Sequence, residues 1–284
     1  MSNVKKVFVP FGCGANVKGI AESNIVIFNK YDDAILVEVE KTDSLSNEKL
    51  INLGKVVKTN LNIAKAVNKE LQLGNRVLCI GGDHSIALGS ISAIASNIDN
   101  LGVIWVDAHG DMNTHLTTET GHIHGMILAA LQGHGHPQLI DIFRPGKKIE
   151  TRNVVIFGVR DLDKKEQELM NEVGVLYITH KEILKNGLMA SLNNVKKYLS
   201  NVKNLHISFD LDSINPQFIS GVSVPVKSGF TTEEGKAIIE FLFNNFNVHT
   251  ADIVEFNKEF DKDEQTEKYL HILIELFQNK LSIN

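Results

Sequence analysis

Cysteine is scarce in this 284-residue chain, with only Cys13 and Cys79. Two isolated cysteines are too few for a disulfide framework or a thiolate zinc site, so both are expected as reduced, structural thiols. Long apolar runs are also missing. Nothing approaches the roughly 18 consecutive apolar residues of a membrane span, and the opening MSNVKKVFVPFG is broken by proline and glycine. Charge of one sign is missing too: the net charge is -5, with acidic and basic residues mixed along the chain, so no basic surface points to nucleic acid or an anionic membrane. There is no internal repeat, low-complexity tract or long linker, and neither a GxGxxG fingerprint nor a terminal GK[ST] to suggest a nucleotide. These absences leave one domain over residues 1–284, a cytosolic location and a small polar substrate as the expectations.

What is present is a series of short Val, Ile and Phe-rich runs separated by helical segments. That alternation predicts an α/β fold: a single three-layer α/β/α domain with a mainly parallel central sheet. The clearest strands are RVLCI (76–80), GVIWV (102–106), NVVIFGV (153–159), LHISF (205–209) and TADIVEF (250–256). SIALGSISAIASNI and TTEEGKAIIEFLFNNF read as helices, the second with Thr and Glu placed for capping. Each strand is followed at its C-terminal end by His, Asp or Glu: GGDHS, DAHGD, RDLD, DLD and Glu255. In open parallel sheets that edge forms the ligand crevice, so five clusters can converge there.

In DAHGD, Asp107, His109 and Asp111 are two apart and can face one way in an extended or slightly turned segment. Asp210 and Asp212 repeat the spacing, and His84 follows Gly81 and Gly82, which allow a tight turn. Four carboxylates in one crevice repel unless protonated or bound to cations, and a pair of divalent cations resolves the conflict. Oxygen and imidazole ligands without thiolate favour Mn, while Mg, Fe, Co and Zn remain compatible. Two metals about 3.5–4 Å apart can lower the pKa of a shared water, which points to hydrolysis. Taken singly, Asp83 and Asp161 are equally well read as helix N-caps. His115, His134, His136, His180, His206, His249 and His271 are read as structural or surface residues.

The ordered segments GGDHSIALGSIS, LGVIWVDAHGDMNT, TGHIHGM, GVRDLD, SFDLDSINP and ADIVEFN resemble the successive motifs of arginases, within the ureohydrolases, across most of residues 76–257. Asn-Thr after Met112 and the GHIHGM segment are similar to bacterial arginases. The resemblance implies two Mn2+ per chain, one held by His84, Asp107, Asp111 and Asp210, the other by Asp107, His109, Asp210 and Asp212. It implies hydrolysis of L-arginine to L-ornithine and urea by hydroxide attack on the guanidinium carbon. His124 matches the proton-shuttling histidine and Glu255 the guanidinium-binding glutamate; Asp111 is counted with them as catalytic. Asn113, Thr118 and Thr120 match positions that contact the α-carboxylate, and Asp163 and Glu166 those near the α-amino group. A homotrimer or homohexamer is also implied.

Several positions depart from the family pattern. GVSVPVKSGF carries Ser223-Val224 where Gly-Thr is usual and Ser228-Gly229 where two glycines are usual, so Val224 lacks the threonine hydroxyl. His122 stands in place of an asparagine, and His115 in place of proline or alanine. The opening VPFGCGANVKGI resembles the family's first strand and loop only loosely. Other readings are a hydrolase of agmatine or guanidinobutyrate, or a metal-binding regulatory homologue without turnover. One-zinc deacetylases of similar architecture also use an Asp-His-Asp set, but the extra histidine and second-metal aspartates argue against them.

Overall fold

A computed structural model describes residues 3–42 and 45–283. Among the described residues, eight strands form one sheet: β1 (Val4–Phe8), β2 (Ala34–Leu36), β3 (Arg76–Ile80), β4 (Leu101–Val106), β5 (Val154–Val159), β6 (Leu176–Thr179), β7 (Asn204–Asp210) and β8 (Asn247–Val254). Their spatial order is β2-β1-β3-β8-β7-β4-β5-β6, and every pairing is parallel. No helix among the described residues is long and apolar enough to cross a membrane.

The five strands read from apolar runs form the interior of the sheet, with β1 beside them, because strands buried on both faces must be apolar at nearly every position. In β4, Leu101, Val103 and Trp105 enter one helix-covered layer while Ile104 and Val106 enter the other. The loosely matched opening segment supplies β1, whose Val4–Phe8 register lies against Arg76–Ile80. The edge strands β2 and β6 are shorter or half-exposed, so they carry no comparable apolar signal.

Two boundaries differ from the sequence reading. The helix expected over SIALGSISAIASNI is a 3-10 turn at His84–Ile86 followed by a helix at Ala87–Ile94. Asp83 tightens that turn by accepting from the Ser85 N–H, and beyond Ile94 the Asn97 side chain takes the Ala93 carbonyl. β8 stops at Val254 because Glu255 turns to a left-handed φ of 68°. By contrast, Thr231 and Glu234 make the expected capping box for the helix Thr232–Asn245. His206 is fully buried, as expected of a structural histidine: its Nδ1 lies 2.9 Å from Thr250 Oγ1 and its Nε2 3.1 Å from Asp252 Oδ2.

Candidate metal centre

Because β3, β8, β7, β4 and β5 are consecutive neighbours, polar residues from positions 84, 255, 210–212, 107–111 and 161–166 are brought to one sheet edge. The loop after β3 begins with Gly81 at φ 82°, where a Cβ would lie 1.2 Å from the Asn24 amide, so no other residue fits that turn. Asp83 is a structural tether: Oδ1 accepts from Ser85 N–H at 2.9 Å, and Oδ2 from Gly14 and Ala15 N–H at 2.8 and 3.1 Å. Its N-cap reading holds. For Asp161 it does not: the next helix, Lys164–Val173, is capped by Asp163 in a box with Glu166, two residues further on.

The aspartates are aimed by main-chain N–H groups. Asp107 Oδ1 accepts from His109 N–H at 2.6 Å, Asp210 Oδ1 from Asp212 N–H at 2.7 Å, and Asp212 Oδ1 from Ala108 N–H at 3.2 Å. One oxygen of each is thus pinned, and the other is left for the crevice. Asp111 reaches the same point through a left-handed φ of 49° rather than an extended segment. Around His84 Nδ1 lie Asp107 Oδ2 at 2.9 Å, Asp210 Oδ2 at 3.0 Å and Asp111 Oδ2 at 3.2 Å. His109 Nδ1 is 3.0 Å from Asp212 Oδ2 and 3.4 Å from Asp107 Oδ1. Two groups able to hold a cation result, His84 with Asp107 and Asp111, and His109 with Asp107 and Asp212, sharing Asp107.

The fit to a cation is testable on these atoms. His84 Nε2 lies 2.9 Å from Ser208 Oγ, and the ring stacks on Trp105 at 3.9 Å and 6°. With the ring hydrogen on Nε2 toward Ser208, Nδ1 presents a lone pair to three carboxylates. His84 Nδ1 and Asp107 Oδ2 are both buried without a hydrogen-bond partner. Ligands about 2.1 Å from one divalent ion at right angles stand about 3.0 Å apart, close to the spacing seen here. Electrostatics agree. Burial, then Asp212 and Asp107, push the Asp210 carboxyl well above its usual range; burial and Asp107 raise Asp111 and Asp212 as well. Against burial, His109 and His84 hold Asp107 low. Burial and mutual repulsion both work against a fully charged cluster, and cations would relieve them, so the residues fit a metal centre.

Above the metal cluster opens a cavity of about 240 Å³, with His109 and Asp111 in its lining and Asn113, Thr118, Thr120, Asp163, Glu166 and His124 around it. The residues read as ligands and those read as substrate contacts therefore meet. Their states differ. Asn113 donates to Asp163 Oδ2 at 2.9 Å, Thr118 Oγ1 accepts from Gly121 N–H, and Thr120 Oγ1 from His122 N–H. Glu166 is largely spent on structure: it is buried, accepts from Met112 N–H at 2.8 Å and closes the capping box. Burial pushes its carboxyl up to about 8 despite those bonds. Glu255 lies just behind the cavity, its Oε1 accepting from His84 N–H at 2.9 Å and lying 3.1 Å from His124 Nδ1, while Oε2 is buried and unpartnered. Val224 and His122, the two departures, also line the cavity.

Three supporting residues escaped the sequence reading. Ser208 sits two before Asp210 on β7, so strand periodicity alone could have placed it on the same face. Trp105 stands in the same relation to Asp107 at the end of β4, though nothing local links it to His84, and Arg160 had no such signal. The Arg160 guanidinium donates to the carbonyls of Asp212, Ser213, Val226 and Lys227 and so ties the loop bearing Val224 to the floor.

The Arginase family model matches residues 21–277. The chain is 37% identical over 244 residues to the arginase of Bacillus subtilis strain 168, covering 86% of this chain and 82% of that protein. It is 39% identical over 231 residues to the arginase of Brevibacillus brevis, covering 81% and 78%. The solved structure of Bacillus caldovelox arginase superposes with a TM-score of 0.89 at 32% identity over 99% of this chain and 98% of that one. Formimidoylglutamase from Bacillus subtilis, at 19% identity and a TM-score of 0.79, shares the fold. On its sequence, fold and polar crevice together, the chain belongs to the arginase family.

Proposed function

We propose that this protein hydrolyses L-arginine to L-ornithine and urea, using two Mn2+ ions. The observation that carries the reading is the paired cluster sharing Asp107, with unpartnered His84 Nδ1 and Asp107 Oδ2, beneath a polar cavity. His84, Asp107, Asp111 and Asp210 would hold one ion and Asp107, His109, Asp210 and Asp212 the other. Bound there, the pair would lower the pKa of a water enough to supply hydroxide near neutral pH.

The chain's own groups do the rest. Unpartnered Glu255 Oε2 accepts from the planar guanidinium, which presents N–H groups along an edge. Hydrolysis breaks the bond between the guanidinium carbon and ornithine's nitrogen, and that nitrogen takes a proton. His124 supplies it: burial pulls the imidazole down, while Glu255, 3.1 Å from Nδ1, favours its protonated form. Asn113, Thr118 and Thr120 offer amide and hydroxyl groups to the α-carboxylate, while Asp163 gives the α-ammonium a carboxylate and the deeper Glu166, raised to about 8, offers a polar but largely neutral neighbour. The same reading includes a cytosolic homotrimer or homohexamer, which light scattering checks.

Urea release from L-arginine after manganese loading tests the proposal against an Asp107→Ala variant. Turnover in the parent and its loss in the variant support it; equal activity in both sinks it. Val224 favours a second reading. Its apolar side chain lines the cavity at 38% exposure and offers the guanidino substrate no hydrogen bond. Good turnover of agmatine with none of L-arginine would replace the amino acid by its decarboxylated analogue.

A further inference from the structure

Outside the cavity, the loop bearing Asn113, Thr118 and Thr120 also carries His115, whose ring meets that of His136 edge to face at a centroid distance of 5.3 Å. Nδ1 of each ring is buried and has no hydrogen-bond partner. His115 and His134 together line a separate groove of about 460 Å³. His134 stands between Gly133 at φ 90° and Gly135 at φ 116°, a turn that side chains rarely adopt and that presents His134 and His136 two residues apart. The opposite wall comes from the helix Lys164–Val173, which sets Glu168 and Glu172 one turn apart, with Lys165 beside them.

Two imidazoles that each keep a buried, unpaired Nδ1, with a third histidine on the neighbouring turn, are donors that a cation could recruit once their rings rotate. A buried nitrogen left without a partner is costly, and a bound cation removes that cost. We propose that His115, His134 and His136 form a second metal site, separate from the carboxylate-rich centre and suited to a borderline divalent ion such as Zn2+ or Ni2+. The donor set gives the selectivity: imidazoles suit Zn, Ni and Cu, whereas the crevice aspartates suit harder cations. Burial, then His115, hold the His136 ring below the ordinary imidazole range, which leaves it deprotonated and ready to ligate at neutral pH. The three rings do not already converge to the spacing of the crevice clusters, so closing the site takes side-chain rotation. Once closed, it ties the loop that lines the substrate cavity to the 133–136 turn.

The test is Ni2+ binding to the manganese-loaded protein, by calorimetry with metal content measured after gel filtration. A His115→Asn/His136→Asn double variant is the reference, because any nickel that displaces manganese in the crevice appears equally in both proteins. The parent is expected to take up one equivalent per chain more than the variant, with a rise in Tm on nickel addition that the variant lacks. His134→Asn, on the glycine-flanked turn, gives the same comparison should the double variant fail to fold. Equal nickel uptake by the parent and a folded variant overturns the site.

Discussion

The floor and the wall of the crevice are built by opposite means. On the floor, Asp107, Asp210 and Asp212 each have one oxygen fixed by a main-chain N–H, and His84 is clamped between Ser208 and the face of Trp105. On the wall, Asn113 donates to Asp163 and accepts from Thr117 behind it, Thr118 and Thr120 accept from amides of their own loop, and Val224 makes an apolar gap. Backbone-fixed groups keep their positions whatever ligand arrives. Loop side chains that satisfy each other can be exchanged singly without collapse. The difference teaches that the candidate metal ligands are held by the sheet edge, whereas the candidate substrate contacts are held by the loops.

Mutations can break or sharpen that contrast. The largest effect is expected at the shared floor ligand: Asp107→Ala should lower urea release by about 10²–10³-fold or more while removing bound manganese, measured by steady-state kinetics and metal analysis. Trp105→Ala should cost about 3–5 kcal/mol in chemical denaturation, since it empties a fully buried site and removes the surface on which His84 stacks. Ser208→Ala should weaken manganese affinity by about 10–100-fold with little change in fold, because it frees the His84 ring to turn. An unchanged affinity there would mean that Trp105 alone orients the ring. On the wall, Val224→Thr should change the Km for L-arginine by no more than about 0.5–1.5 kcal/mol, with kcat and metal content unaffected. A Val224 substitution that emptied the metal centre would erase the distinction between floor and wall.

The same contrast explains what could be read without a structure. β3, β4, β5, β7 and β8 were legible because strands covered on both faces are apolar runs, and the candidate ligands because Asp107, His109 and Asp111, like Asp210 and Asp212, follow directly from a strand end. The wall was readable only through resemblance, since Asn113, Thr118 and Thr120 are ordinary loop polars by themselves. The cap reading of Asp161, one of two even readings, fails because capping depends on which residue the helix begins after, and RDLD offers two aspartates two apart. Trp105 and Arg160 were missed for another reason: their roles depend on neighbours 21 and 52 residues away in sequence, which no local pattern encodes.

The hydrogen bond from His84 N–H to Glu255 joins residues 171 apart, and β3 has β8 as its sheet neighbour on that side. On the ribosome, the loop carrying the first histidine emerges long before the strand that completes it. Parallel pairings of such separation form late, after a large loss of chain freedom. A nascent chain therefore presents its histidines and aspartates as scattered, weak donors, and they can come together only after β8 has been made. The hydrolytic centre is in this sense a timed device, withheld from the partly made protein by the order of its strands.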